Sequence, residues 1–284
     1  MFYFLRSKSF ALAIILPIAL AACNNTSTPD NPSASTAPTN NAPATSQNSN
    51  KHSEKKPVSN AVSEDVDYMT KLGLMKGHML VAKELLDLQK LDQAEPHIGH
   101  PVEEIYADVE NQLKQRNVPE FKNTLNTLHD LVKAKSQDTK KIEAAFQASM
   151  QAVDKAIEAV PQEKRESTGF VLPVINGLLD TANSEYKAAI ANDKIAEAIE
   201  YQDSRGFVLY ADTLYKGIAD KMAKEHPEAD KAIASNMTQL KTAWPNVVPP
   251  AKPVLTPEQV SQSIQAIEQN NQKVVNATPK KPSA

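Results

Sequence analysis

Three histidines and the acids beside them are the residues of this chain best suited to chemistry. In Pro96-His97-Ile98-Gly99-His100-Pro101-Val102-Glu103-Glu104, His97, His100 and Glu104 stand three and four residues apart. At 100° per residue that spacing sets them within about 60° of one another on a helix. Pro96 and Pro101 leave open a second arrangement, with the two histidines on a turn leading into the helix. Either way, two imidazoles and a carboxylate converge on one patch. His78 follows Gly77 one helix earlier, and an antiparallel hairpin closing near Asp92 carries it to the level of positions 100–106. Imidazole with carboxylate is a ligand set suited to iron, zinc or copper. The spacing His-x-x-His-x-x-x-Glu is not the Glu-x-x-His of carboxylate-bridged di-iron bundles.

A faint internal parallel extends the set. Residues 82–109 resemble residues 183–214: Tyr106-Ala107-Asp108 falls on Tyr210-Ala211-Asp212, and Ala94-Glu95 on Ala196-Glu197. Between those anchors His97 and His100 stand opposite Glu200 and Asp203. The resulting candidate metal ligands are His78, His97, His100, Glu104 and Glu200. The competing expectation is that these histidines only cap helix ends or hydrogen-bond in a buried turn. The protein is then a non-catalytic envelope scaffold or interaction module.

The remaining histidines suggest less. His52 lies in a polar tract, His226 precedes Pro227 at a helix end, and His129 beside Asp130 reads as a partly buried or rim residue. The single cysteine excludes a disulfide framework and a Cys-based zinc site. Ser-His-Asp, Cys-His and phosphate-cradling signatures are missing, so binding is expected rather than turnover, with no catalytic residues. A net charge of −3 lacks the basic footprint of a nucleic-acid binder.

The elements that must position this patch are helices. Val66, Met69, Leu72, Met79 and Ala82 to Leu86 recur at three-to-four spacing, as do Phe121, Leu125, Leu128 and Val132. Asp138 stands as an N-cap, and Thr256-Pro257-Glu258-Gln259 has the form of a capping box. Gly206 within a helical run predicts a close crossing or a kink. Trp244 is placed to staple the proline-rich crossing from 244 to 255 onto the body. Strand signals are nearly absent, and 7 Gly with 5% aromatics argue against barrels and dinucleotide folds. The fold class is all-α: a helical bundle of about seven or eight helices over 61–275. The internal parallel suggests two pseudo-symmetric hairpin units within it, and 276–284 forms a polar tail.

The N-terminus supplies an address. Arg6 and Lys8 precede an apolar stretch of 13 residues, Phe10 to Ala22. That is shorter than the roughly 20 residues of a membrane-spanning helix and fits a signal peptide over 1–22. Leu20-Ala21-Ala22-Cys23 resembles the lipobox of bacterial lipoproteins. The resemblance implies cleavage before Cys23, a diacylglyceryl thioether on its sulfur and a further acyl chain, such as palmitate, on its amine. Asn24 after it is the kind of residue that favours sorting to the outer membrane, with the body facing the periplasm. Removing 1–22 takes away Arg6 and Lys8 and no acid. The 31 basic side chains become 29 against 34 acidic, and the charge moves from −3 to −5. Residues 23–60, rich in Asn, Ser, Thr, Pro and Ala, read as a disordered tether reaching about 33 Å on average.

Lipobox, tether, helical body and histidine/acid clusters together resemble the general plan of the imelysin-like, iron-associated periplasmic proteins. Those carry a Gly-x-His-x-x-Glu motif. Gly77-His78 and Gly99-His100 lack that spacing, so no motif residue carries over.

Overall fold

The computed structural model describes residues 58–277; the expected signal peptide, Cys23, nearly all of the tether, and 278–284 lie outside them. The α-helices are α1 (Val58–Asp87), α2 (Leu91–His100), α3 (Tyr106–Gln115), α4 (Lys122–Lys133), α5 (Thr139–Glu158), α6 (Gln162–Arg165), α7 (Thr168–Ala189), α8 (Ala198–Glu225), α9 (Pro227–Lys241) and α10 (Pro257–Asn276). A π-helical turn, Pro101–Ile105, joins α2 to α3. The fold is all-α. Seven or eight becomes ten because that turn splits one rod in two and α6 is a single turn.

The helices start and stop where local chemistry dictates. Asp138 accepts from the Lys141 amide at 3.1 Å, and Thr256 and Gln259 exchange both bonds of a capping box at the head of α10. Between α7 and α8 a two-residue pair of strands, β1 (Ile190–Ala191) and β2 (Lys194–Ile195), turns through Asn192 and Asp193 at φ of 52° and 57°. Two left-handed residues of this type are what a tight hairpin turn requires.

In the C-terminal half α7 packs on α8, α8 on α9, α9 on α10 and α10 back on α7, closing a ring of four. Helix α1 lies across α7 and α8, and α2, α4 and α5 complete the layer around it. Tyr68, Leu72, Met75, Met79 and Leu85 of α1 are fully buried, which gives one helix the axis of the N-terminal half. The proline-rich crossing is fixed by Trp244, whose indole Nε1 donates to Ser204 Oγ at 2.7 Å.

Helices α1 and α8 touch through backbone. A Cβ on Gly206 would stand 2.7 Å from the Gly77 carbonyl carbon, and one on Gly77 would meet Phe207 Cδ1 at 2.6 Å. No side chain fits there. Gly206→Ala is therefore expected to lower the unfolding free energy by roughly 1–3 kcal/mol. Gly217→Ala, exposed in the same helix with nothing within 4 Å of its Cβ, should raise it by about 0.5–1 kcal/mol. Urea unfolding of the two variants checks both signs.

Candidate metal centre

The glycine contact sets the distance between the helices that carry the first two polar groups. His78 follows Gly77 on α1, and Asp203 lies one turn before Gly206 on α8. With the backbones that close, His78 Nδ1 comes within 2.6 Å of Asp203 Oδ1. The opposite wall comes from α2. The turn at 88–90 folds it back along α1, so that the His78 and His100 rings pack edge to face with centroids 5.1 Å apart.

Two prolines shape that wall. Pro96 lies inside α2, and Pro101, having no N–H, leaves the His97 carbonyl without its helical donor. The chain then widens by one residue: the Tyr106 amide donates to Pro101 O, closing a π turn directly after His100. Such turns occur mostly as single insertions, frequently at functional sites.

Three imidazoles meet one carboxylate. His97 Nδ1 is 2.7 Å from Asp203 Oδ1, and His100 Nδ1 is 3.3 Å from Oδ2. His97 is fully buried, with its Nε2 2.9 Å from Gln202 Oε1. The Gln202 amide is oriented in turn by Val247 O, to which its Nε2 donates at 3.2 Å. Both His97 nitrogens are thus spent on hydrogen bonds, and its role is to hold Asp203. One nitrogen each from His78 and His100 and one Asp203 oxygen lie within 4.8 Å of one another. Around a single ion at 2.0–2.2 Å such atoms would stand at most about 4.3 Å apart.

Burial and charge oppose each other here. Burial acts to raise the Asp203 pKa, but the charge of His78 and hydrogen bonds from His100, His78 and His97 outweigh it. They hold the carboxyl well below the usual range. Burial pushes His78 down, against the pull of Asp203, whereas the Asp203 hydrogen bond pushes the half-buried His100 up. Glu104 and Glu200 reinforce the rise at His100. Glu185 of α7 is pushed up by its own burial and then by the charges of Asp203 and Glu200. An acidic surround therefore faces the most accessible ring.

The proline-rich crossing backs the site. Tyr201 OH donates to Asn246 O at 3.1 Å, and Arg205 Nη1 donates to Trp244 O at 2.6 Å while its guanidinium pairs with Glu84. With Gln202 and Ser204 these anchors flank Asp203 on both sides along α8.

The structure thus gathers His78, His97 and His100, while Glu104 is exposed in the π turn and Glu200 is half-buried one turn before Asp203. Both acids act on His100 through charge alone. Cys23 lies outside the described residues. Sequence reasoning set Asp203 opposite the histidines but carried Glu200 forward as the ligand. A signal for Asp203 existed: it continues the buried stripe of Phe207 and Tyr210 at minus four and minus seven, where an acid is out of place. Gln202 had no such signal. His129 stands apart, 2.7 Å from Glu95 Oε1.

Residues 161–278 match the family model of the iron permease-associated 4-helix bundle domain, a span that holds α7 to α10 and Asp203. His78, His97 and His100 precede it. No curated protein and no solved structure matches the chain.

The charge balance has a pH signature in metal-free protein. His100 has a folded pKa above its unfolded value of roughly 6.5, so it stabilises the fold fully below that pH. That contribution is lost as pH rises through the folded value. Denaturant midpoints of wild type and His100→Ala, measured from acid to alkaline pH in chelator, should differ most below about pH 6.5 and converge above the folded value.

Proposed function

We propose that this protein captures or hands on iron through His78, His100 and Asp203, as a lipid-anchored protein facing the periplasm. The observation that carries the reading is the convergence of two imidazoles and one carboxylate, each from a different helix, on a point that already exists. Two histidines and one carboxylate with positions left open form the facial set that non-haem Fe(II) favours. Zinc and copper accept imidazole too and are the rival ions. An ion held by three protein ligands keeps open positions for a second binder, which suits transfer better than permanent storage.

The family description adds iron as the element and an iron permease as a fitting envelope partner. Lys8, the apolar stretch and Leu20-Ala21-Ala22-Cys23 support anchoring, with Asn24 favouring the outer membrane. His97 and Gln202 serve as the supports of Asp203. Glu104, Glu185 and Glu200 give the approach to His100 a negative field that attracts cations.

A second reading has its own observation. The three rings already pair with Asp203, so they can be no more than a staple joining α1, α2 and α8 in a scaffold. The two readings part on metal content. Purified wild type is expected to hold about one equivalent of iron per chain, and His78→Ala/His100→Ala less than about a tenth of that, by elemental analysis. His97→Ala should weaken binding roughly 10–100-fold without abolishing it. Equal, negligible metal in wild type and double variant, with lower thermal stability in the variant, would leave only the staple.

Anchoring is separable from metal. Cys23→Ala should move the protein from the membrane fraction to the soluble one and end incorporation of labelled palmitate. Unchanged fractionation would remove the lipoprotein reading.

A further inference from the structure

Helices α7 and α10 meet along a polar seam that the histidine cluster does not use. Asn176, Asp180 and Asn183 recur at four and three residues on one face of α7, and Ser261, Glu268 and Asn271 share the facing stripe of α10. The helices run antiparallel. Asn271 Nδ2 donates to Asn176 Oδ1 at 2.6 Å at one end, and Ser261 Oγ donates to Asn183 Oδ1 at 2.8 Å at the other. Between them the carboxyl of Glu268 lies beside that of Asp180. Among the described residues no lysine or arginine pairs with either acid.

Two oxygens in this seam are left over. Asn271 is fully buried, yet its Oδ1 has no donor, and Glu268 Oε1 is a second buried acceptor without one. They belong to residues three apart on α10, one above the other on the same face. Neither oxygen receives a hydrogen bond, and both are acceptors that a cation would satisfy. Asp180 is exposed, which gives the seam a mouth, and Asn271 forms its floor.

We propose that the α7–α10 seam is a second cation site, binding a hard divalent ion such as Ca²⁺ through Asp180, Glu268 and the Asn271 side-chain oxygen. Two carboxylates and an amide oxygen, completed by water, make the all-oxygen set that such ions take in six- to eight-fold coordination. The histidine cluster is a mixed nitrogen/oxygen set on other helix faces, so the two sites select different ions. This assignment does not rest on the iron reading.

Calorimetric titration of the chelator-treated full chain with CaCl₂ tests it. About one equivalent is expected to bind wild type, and His78→Ala/His100→Ala equally well. Asp180→Asn/Glu268→Gln should weaken binding by tenfold or more, as about two charges leave the ligand set. Should that variant fail to fold, Asn271→Leu keeps the side-chain volume and removes the floor oxygen, with a loss of about tenfold expected. No Ca²⁺ uptake by wild type, undiminished uptake by either seam variant, or loss of uptake in the histidine variant would each overturn the proposal.

Discussion

A carboxylate taken out of water is tolerated only when other groups replace the hydration it has lost. Asp203 is that carboxylate, with almost no solvent contact, and its replacement comes from imidazoles on two other helices. The pairing reaches across the chain. Asp203 lies 125 residues from His78 and 106 from His97, so no local segment can satisfy it. Removing one member leaves charge or polar atoms buried without partners, at a cost of several kcal/mol. The relative placement of α1, α2 and α8 is therefore tied to a polar centre as well as to the apolar core.

What lets that centre form is the absence of side chains beside it. Gly77 and Gly206 bring α1 and α8 together at backbone distance, one residue from His78 and three from Asp203. On the other side Pro101 and the π turn end α2 just after His100, so the rod changes phase there. The crossing at 244–247 then accepts hydrogen bonds from Tyr201, Gln202 and Arg205, which fixes α8 around Asp203. Polar positioning in this molecule is achieved by backbone: two glycines, two prolines and a run of free carbonyls.

The helices were legible in the chain because their apolar period is long and their caps are explicit, as at Asp138 and Thr256. So was the close crossing at Gly206, since a glycine in a long helix needs a reason. The histidines could be grouped because His97 and His100 are near in sequence and one hairpin returns His78 to them. Their acidic partner was harder to choose. Glu200 and Asp203 differ by one turn, and which of them faces inward depends on the phase of α8 against α1. The Gly77–Gly206 contact fixes that phase, and the one sign of it along α8 itself was that Asp203, not Glu200, continues the stripe of Phe207 and Tyr210. The Gln202–Val247 link was invisible, because it joins a side chain to a backbone oxygen 45 residues on.

The matched span and the histidines divide the labour. The ring of α7 to α10 carries Asp203, Asp180, Glu185, Glu200 and Glu268, all oxygen donors, and no imidazole of the cluster. An all-oxygen set of this kind suits hard ions held weakly and with water. The histidines of α1 and α2 bring nitrogen donors to Asp203 and not to the α7–α10 seam. Softer nitrogen ligands raise affinity for late first-row metals, while the second seam keeps the preferences of carboxylate and amide. On the two proposals made above, ion selectivity would follow from which face of the C-terminal ring the N-terminal helices cover.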